Sequence, residues 1–155
     1  MCYVWSRARA NECTARAKTL IEELGEEKGK ELFIKQVYKM GKNMGEQDRK
    51  YIASQGKEAN LDEWFEGLDE SSIFSFAWKY GKKDISKDEV VVEYLQCPFA
   101  EGFKAYGSEG VEIGEWFCEN IDNALTQGYN PKYEGVRESS LNKDGLCRLH
   151  WKLKE

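Results

Sequence analysis

The chain has 155 residues, of which 41% are hydrophobic, 33% are charged and only two are proline, a composition typical of one globular domain with its own core. Its formal net charge of −5 disfavours nucleic acid and anionic membrane surfaces as main partners. No apolar run approaches the roughly 20 residues that a membrane span requires, and the charged N-terminus lacks the apolar core of a secretory signal. The five cysteines show no tight spacing, so we expect free thiols in a reduced, cytoplasmic protein.

The first third of the chain is predicted to be helical. Residues 1–15 form a poorly patterned N-terminal segment, but good helix formers predict a first helix over about 7–24. A second helix is predicted over about 26–54, because apolar residues recur there at helical spacing. This predicted buried stripe consists of Phe33, Val37, Met40 and Met44. Gly41 and Gly45 lie four residues apart on the same helix, which favours close helix packing over a ligand loop.

The periodicity changes after a short third helix that begins near Asn60. Alternating aromatic residues predict a first strand over 73–80, and a polar connection follows over 81–89. β-Branched residues predict a second strand over 90–95. Pro98 ends this strand because it has no N–H to donate to a ladder.

The rest of the chain is predicted to contain two helices and a hairpin. A short helix covers 99–106, and a longer one covers 111–127. The hairpin arms, 133–141 and 146–153, flank a turn signal at 142–145. The whole chain is therefore predicted to be a single α+β domain. Its N-terminal helices would pack on an antiparallel sheet of about four strands, with a further helix between strands and a C-terminal hairpin.

Alternation in the last hairpin arm separates its cysteine from its histidine. Cys147, Leu149 and Trp151 should face the core, whereas His150 should face the other way. His150 is the only histidine of the chain, and a surface role is favoured for it over a pairing with Cys147. Cys2 lies, like Cys13, in the poorly patterned N-terminal segment, and neither receives a predicted role.

Cys118 and Asp122 are the main candidates for chemistry. They lie four residues apart on a predicted helix, so their side chains are neighbours on one face. A carboxylate beside a thiol can accept its proton or orient a water molecule, although its charge also raises the pKa of the thiol. The alternative interpretation is a small buried cysteine beside a solvated aspartate.

Three further residues could line the same site. Cys97 lies at a strand end, where binding groups often emerge. Cys147 points toward the core, where a structural role is the more natural one for a cysteine. Arg137 occupies a mid-strand position from which it could bind a substrate carboxylate, or form a cross-strand surface pair.

A metal site is not supported by the spacing of the candidate ligands. Zinc could be coordinated by Cys97, Cys118 and Cys147 with Asp122 or His150, but the short paired spacing of structural zinc modules is missing. No phosphate-binding glycine motif and no nucleophile elbow occurs in the sequence. We therefore predict no cofactor, while zinc or another transition metal stays open.

The second half of the chain carries an ordered set of motifs. The set is Cys97-Pro98-Phe99-Ala100-Glu101, Cys118 with Asp122, Asn130-Pro131, Arg137, Leu141, Asp144-Gly145 and Cys147. In order and spacing it resembles the family of L-2-amino-thiazoline-4-carboxylic acid hydrolases, over roughly residues 20–153. The resemblance implies a small α+β fold similar to vinyl-reductase-type domains and vesicle-tethering subunits. It also implies hydrolytic opening of a cyclic amidine, a thiazoline bearing a carboxylate, toward a carbamoyl-cysteine.

These observations lead to two hypotheses. The first is a small cytoplasmic hydrolase that opens a C–N bond of a thiazoline carboxylate and needs only a small-molecule substrate as partner. Its predicted residues are Cys118 and Asp122 for catalysis, Cys97, Asn130, Arg137 and Cys147 for substrate binding, and Phe74, Phe76 and Trp78 for an apolar wall. The second is a non-catalytic domain that binds a small ligand, or a metal, in the same place. Neither hypothesis specifies an oligomeric state.

Overall fold

The structure, a computed structural model, describes residues 2–71 and 78–155, with side chains described over 7–67 and 78–155. The order of its elements is α1 (Cys2–Leu24), α2 (Glu26–Ser54), α3 (Leu61–Ser71), β1 (Lys79–Ile85), β2 (Glu89–Gln96), α4 (Pro98–Lys104), α5 (Gly107–Tyr129), β3 (Tyr133–Ser139), α6 (Leu141–Asp144) and β4 (Cys147–Leu153). Helices pack on a four-stranded antiparallel sheet, which confirms the predicted α+β class.

The two N-terminal helices follow the prediction except for the start of α1 and the exposure of Met44 on α2. α2 has the predicted bounds, whereas α1 already begins within the poorly patterned segment. Phe33 and Val37 are buried as expected, but Met44 is 42% exposed, so its place in the stripe was wrong. At that turn of α2 the neighbouring Gly45 is buried instead and makes the contact with α5.

Close packing of α2 on α5 depends on glycines, as the spacing of Gly41 and Gly45 indicates. A Cβ atom on Gly41 would lie 2.8 Å from the Cβ of Ala124. A Cβ atom on Gly45 would collide with the backbone of α5, and one on Gly128 would collide with the backbone of α2. The two helices therefore meet backbone to backbone, which fixes the position of α5 over the sheet.

The strands pair in the order β1-β2-β4-β3, and every pair is antiparallel. β2 agrees with the prediction, but β1 covers residues that were predicted to be a polar connection. β1 is an edge strand with mostly exposed side chains, so lysine and aspartate are tolerated in it. The predicted strand over 73–80 lies mainly outside the described residues, and so do Phe74 and Phe76 of the predicted apolar wall.

The remaining helices also differ in detail from their predictions. α5 begins at Gly107, not after Gly110, because Gly110 and Gly114 allow α5 to pack against Phe103 of α4. The predicted hairpin is present as β3 and β4. Its connection contains the helical turn α6, which Ser140 caps and which ends at Gly145 with a φ of 71°.

Two hydrophobic clusters form the core. One fills the space between α3, the end of α5 and the inner face of the sheet, and its centre contains Trp64, Tyr129 and Trp151. The other joins α1, α2, α4 and the first half of α5 around Phe33 and Phe103. Cys147 packs against the first cluster and Cys118 against the second. Cys118 and Cys147 therefore lie where the two clusters approach each other.

Candidate functional site

Three cysteines and an aspartate from three parts of the fold interact at this junction, and we refer to Cys97, Cys118, Asp122 and Cys147 as the thiol cluster. Cys97 follows the end of β2 directly, and Cys147 begins β4 opposite Tyr94 of β2. Cys118 and Asp122 are on α5. Burial is the main cause that raises the pKa of Cys118, and electrostatic interactions with Cys97, Asp122 and Cys147 raise it further, so the four groups are near enough to influence one another.

The cysteines of the thiol cluster are held as neutral thiols. Burial raises the pKa of Cys118 well above its ordinary value and raises that of Cys147 to about 12. Burial also raises the pKa of Cys97, although the backbone of Phe99 and Ala100 partly offsets the rise. Because a thiolate, not a thiol, is the nucleophile of cysteine chemistry, none of these groups is activated for attack at neutral pH.

Asp122 has the titration behaviour of an acid–base group. Burial raises its pKa from 3.8 to about 7, and the charge of Arg137 opposes part of that rise. The residue keeps part of its surface exposed, although protein atoms crowd its carboxyl group. Within 2–71 and 78–155, no protein group donates a hydrogen bond to this carboxylate. Its oxygens are therefore available to a water molecule or a ligand.

The position of Asp122 is fixed by the next turn of α5. The hydroxyl of Thr126 donates to the backbone carbonyl of Asp122 at 2.7 Å and accepts from the indole Nε1 of Trp151 at 3.1 Å. Thr126 is fully buried, so both bonds are shielded from water. This link ties the segment of α5 that carries Asp122 to strand β4.

Arg137 lies beside the thiol cluster on the inner face of the sheet. It pairs across the ladder with Leu149, which is buried, and its own side chain is 10% exposed. The guanidinium donates to the carboxylates of Glu115 at 2.9 Å and Glu119 at 3.2 Å. The two carboxylates differ in exposure, at 9% for the side chain of Glu115 and 53% for that of Glu119. Glu115 is thus a fixed partner of Arg137, whereas Glu119 borders solvent.

Glu115 is the centre of a polar network that the sequence did not reveal. It also accepts hydrogen bonds from Ser140 at 2.6 Å and Asn142 at 2.9 Å, and Lys143 lies 3.7 Å away. Burial alone would raise the pKa of Glu115, but these hydrogen bonds and the charges of Arg137 and Lys143 lower it on balance. The network therefore joins the α6 connection to α5 and orients Arg137.

Comparisons with known proteins identify the family of the chain and its fold. The family model described as L-2-amino-thiazoline-4-carboxylic acid hydrolase matches residues 5–151. The chain belongs to this family. No curated protein matches it. Among solved structures, it is similar to a trafficking protein particle complex subunit 3 from Naegleria fowleri, whose crystal structure has palmitic acid covalently bound. The match covers 98% of this chain and 96% of that chain at 13% identity and a TM-score of 0.60, and it shows a shared fold.

Asn130 and His150, which the sequence analysis considered, lie away from the thiol cluster. Asn130 ends α5 eight residues after Asp122, about 12 Å further along the helix. Its side chain donates to the carbonyl of Ala59 at 2.8 Å and accepts from the N–H of Lys132 at 3.1 Å, so it fixes a loop. His150 lies on the outer face of the sheet, as expected, between Glu89 at 2.8 Å and Glu138 at 3.1 Å.

The structure also defines the contacts of Trp78, Cys13 and Tyr94. Trp78 contributes a hydrogen bond that lowers the pKa of Cys97, and its ring lies 6.4 Å from that of Phe99. Cys13 is buried in the second hydrophobic cluster. Sequence reasoning missed Tyr94, which faces Cys147 and whose pKa is raised by burial and by Asp122. Its alternation with Val90 and Val92 on β2 was the available signal.

The described part of the chain contains neither a group of metal-ligating side chains nor a helix that could cross a bilayer. There, no group of three histidine, cysteine, aspartate or glutamate side chains is arranged to hold a metal ion. None of the helices described has the length and apolarity needed to cross a bilayer.

Proposed function

We propose that this protein is a hydrolase that opens a C–N bond of a cyclic amidine bearing a carboxylate, with a thiazoline carboxylate as the leading substrate class. The family to which the chain belongs supports the substrate class. The observation that carries the proposal is Asp122, a carboxyl group with a pKa of about 7 and no protein hydrogen-bond donor in the described structure. A general base is most effective when its pKa lies near the working pH.

In the proposed reaction, ionised Asp122 removes a proton from water as the oxygen attacks the amidine carbon of the ring. Asp122 passes this proton to the ring nitrogen, and a tetrahedral intermediate forms. Ionised again, Asp122 removes the proton of the new hydroxyl group and transfers it to the same nitrogen as the bond between that carbon and the ring nitrogen breaks. The products balance as one water added, a new carbonyl group and a free amine on an S-linked carbamoyl-cysteine.

Two roles are open to Cys118, that of a nucleophile and that of a residue lining the attacking side, and the proposal adopts the second. Because burial keeps Cys118 protonated, we assign it to the wall on the attacking side and not to nucleophilic attack. Cys97 and Cys147 line the same site as neutral, compact groups. Asn130 is not used in this proposal, because its side chain is bonded to a loop elsewhere.

Arg137 would hold the substrate carboxylate by exchanging one of its present partners. Glu115 is buried and has further hydrogen bonds, whereas Glu119 is exposed and bonds to Arg137 alone among the described groups. An incoming carboxylate can therefore replace Glu119 on the guanidinium while Glu115 stays in place. Glu119 would then act as a competitor that sets the affinity for carboxylate substrates.

The proposal is tested by single substitutions and a ring-opening assay with L-2-amino-thiazoline-4-carboxylic acid. Asp122→Asn should lower the rate about 100-fold or more, since general-base catalysis contributes about 10²–10⁴. Cys118→Ala should lower it less than about tenfold, and Cys13→Ala, which removes a buried thiol that is not part of the thiol cluster, should not lower it. Full activity in Asp122→Asn would refute the proposed role.

The identity of the broken bond can be read from the product. Opening of the C–N bond gives a free amine, whereas opening of the C–S bond gives a free thiol on an N-linked carbamoyl-cysteine. An amine reagent and a thiol reagent applied to the same reaction separate these two outcomes. A thiol product would leave Asp122 as the base but would contradict C–N opening.

A second candidate function is a non-catalytic domain that holds a small ligand at the thiol cluster. It is favoured by the palmitic acid bound covalently to a protein that shares this fold over nearly its whole length. Intact-mass measurement after incubation with a palmitoyl thioester would detect acylation, and Cys97→Ala, Cys118→Ala and Cys147→Ala would locate it. Acylation without any ring opening would favour this function over hydrolysis.

A further inference from the structure

A groove separate from the thiol cluster lies between the second half of α2 and the carboxyl end of α5. Its volume is about 350 Å³, which is within the range of small-molecule sites. Three cations line it, Lys42, Arg49 and Lys50, together with the single acidic residue Glu46. None of the residues that line it belongs to the site proposed for hydrolysis.

The three cations of the groove form no ion pair with the described side chains. Over 7–67 and 78–155, no carboxylate lies within 4 Å of the charged atoms of Lys42, Arg49 or Lys50. Elsewhere many cations are paired, such as Lys18 with Glu109 at 2.7 Å. Since acidic residues outnumber basic ones by 28 to 23, a concave surface with three unpaired cations is a local reversal of charge.

The shape of the groove follows from the glycine contact between the two helices. Gly128 lines the groove without a side chain, and its Cα lies against the backbone of Lys42. Tyr38 forms a wall on α2 and is 37% exposed. The groove thus combines a floor of backbone, a half-exposed aromatic ring and three positive charges.

We propose that this groove binds a phosphorylated small molecule. Lys42, Arg49 and Lys50 hold the phosphate, because a doubly charged group with three acceptor oxygens can bond to all three cations. The group attached to the phosphate lies against Tyr38, whose ring offers a flat surface. Glu46 lies among the cations and disfavours more extended polyanions such as nucleic acid.

The opposing explanation is that the cations only neutralise the carboxyl end of α5, where the last carbonyl groups carry partial negative charge. That explanation predicts loss of stability when the cations are removed, and no anion binding. The two explanations therefore differ in a quantity that can be measured directly.

The test uses the full chain and isothermal titration with pyrophosphate and with adenosine monophosphate at low salt. The groove variant combines Lys42→Gln, Arg49→Gln and Lys50→Gln. The matched control combines Lys28→Gln, Lys35→Gln and Lys39→Gln, three exposed lysines of the same helix that do not line the groove. Circular dichroism verifies that both variants are folded.

We expect the wild-type chain and the control variant to bind both phosphates, and the groove variant to bind them at least about tenfold more weakly, since charge-assisted hydrogen bonds are lost. Tyr38→Ala should weaken binding of adenosine monophosphate more than that of pyrophosphate. Equal binding by the two triple variants, or no binding by the wild-type chain, would overturn the proposal. Binding only to vesicles that contain 20% phosphatidic acid, without binding of either soluble phosphate, would overturn it as well.

Discussion

The buried carboxyl group of Asp122 should make the stability of this protein fall as the pH rises. An unfolded chain releases the proton of this aspartate near its ordinary pKa of 3.8, whereas the folded chain keeps it until about pH 7. Between these values the folded state binds more protons than the unfolded state, so the free energy of unfolding decreases with increasing pH. At about 1.4 kcal/mol per pKa unit, the ionised group costs about 4 kcal/mol above pH 7.

The substitution Asp122→Asn removes the charge and keeps the shape. Its free energy of unfolding relative to wild type should therefore increase by about 2–3 kcal/mol between pH 5 and pH 8, the window in which most of the cost develops. Urea denaturation followed by circular dichroism at half-unit pH steps measures this difference, and effects of other titrating groups cancel in it.

Cys118→Ser provides the control for this measurement. Its effect on stability should be the same at every pH from 5 to 8, because burial keeps the Cys118 thiol protonated throughout that range. If the difference between Asp122→Asn and wild type is also constant with pH, the burial of the Asp122 carboxyl does not raise its pKa. The reasoning about its acid–base role would then fail.

Three further substitutions test other parts of the account. Glu119→Gln should lower the dissociation constant of a thiazoline carboxylate about three- to tenfold, since a competitor for Arg137 is removed. The dissociation constant of the same heterocycle without its carboxylate should not change. Equal effects on both ligands would exclude the exchange at Arg137. Glu115→Ala should lower the free energy of unfolding by about 3–5 kcal/mol, because it leaves Arg137 buried without its main partner. An effect below about 1 kcal/mol in urea denaturation would show that the network does not stabilise the fold. Gly45→Ala should lower the free energy of unfolding by about 3 kcal/mol or more, because a Cβ there collides with the backbone of α5. Gly67→Ala is the control and should have a much smaller effect, because the added atom meets only the flexible end of Ile52 at 3.2 Å.

Much of the fold could be predicted because local patterns determine it. The glycine at position 25 separates two helices whose composition is strongly helical, and α2 has the predicted bounds. β-Branched residues and the proline at 98 similarly fix β2 and its end. Where tertiary contacts decide the outcome, the prediction was wrong. β1 is polar because it is an edge strand, and Met44 is exposed because Gly45 carries the helix contact.

The sequence could suggest candidate residues for a site but not their electrostatics. The four-residue spacing of Cys118 and Asp122 and the ordered motifs indicated which residues might meet. Burial, which sets the pKa of each thiol and of Asp122, depends on how the two hydrophobic clusters approach each other, and no local pattern contains it. Glu115 was missed for the same reason, since its partners lie 22 to 27 residues away along the chain.

The central claim is that Asp122 acts as the base in ring opening, and the pH dependence of kcat/KM for L-2-amino-thiazoline-4-carboxylic acid tests it most directly. The account predicts a rate that rises about tenfold per pH unit below pH 7, levels off above it, and is lost in Asp122→Asn. A rate that stays constant across pH 5 to 8, with Asp122→Asn as active as the wild-type chain, would contradict it.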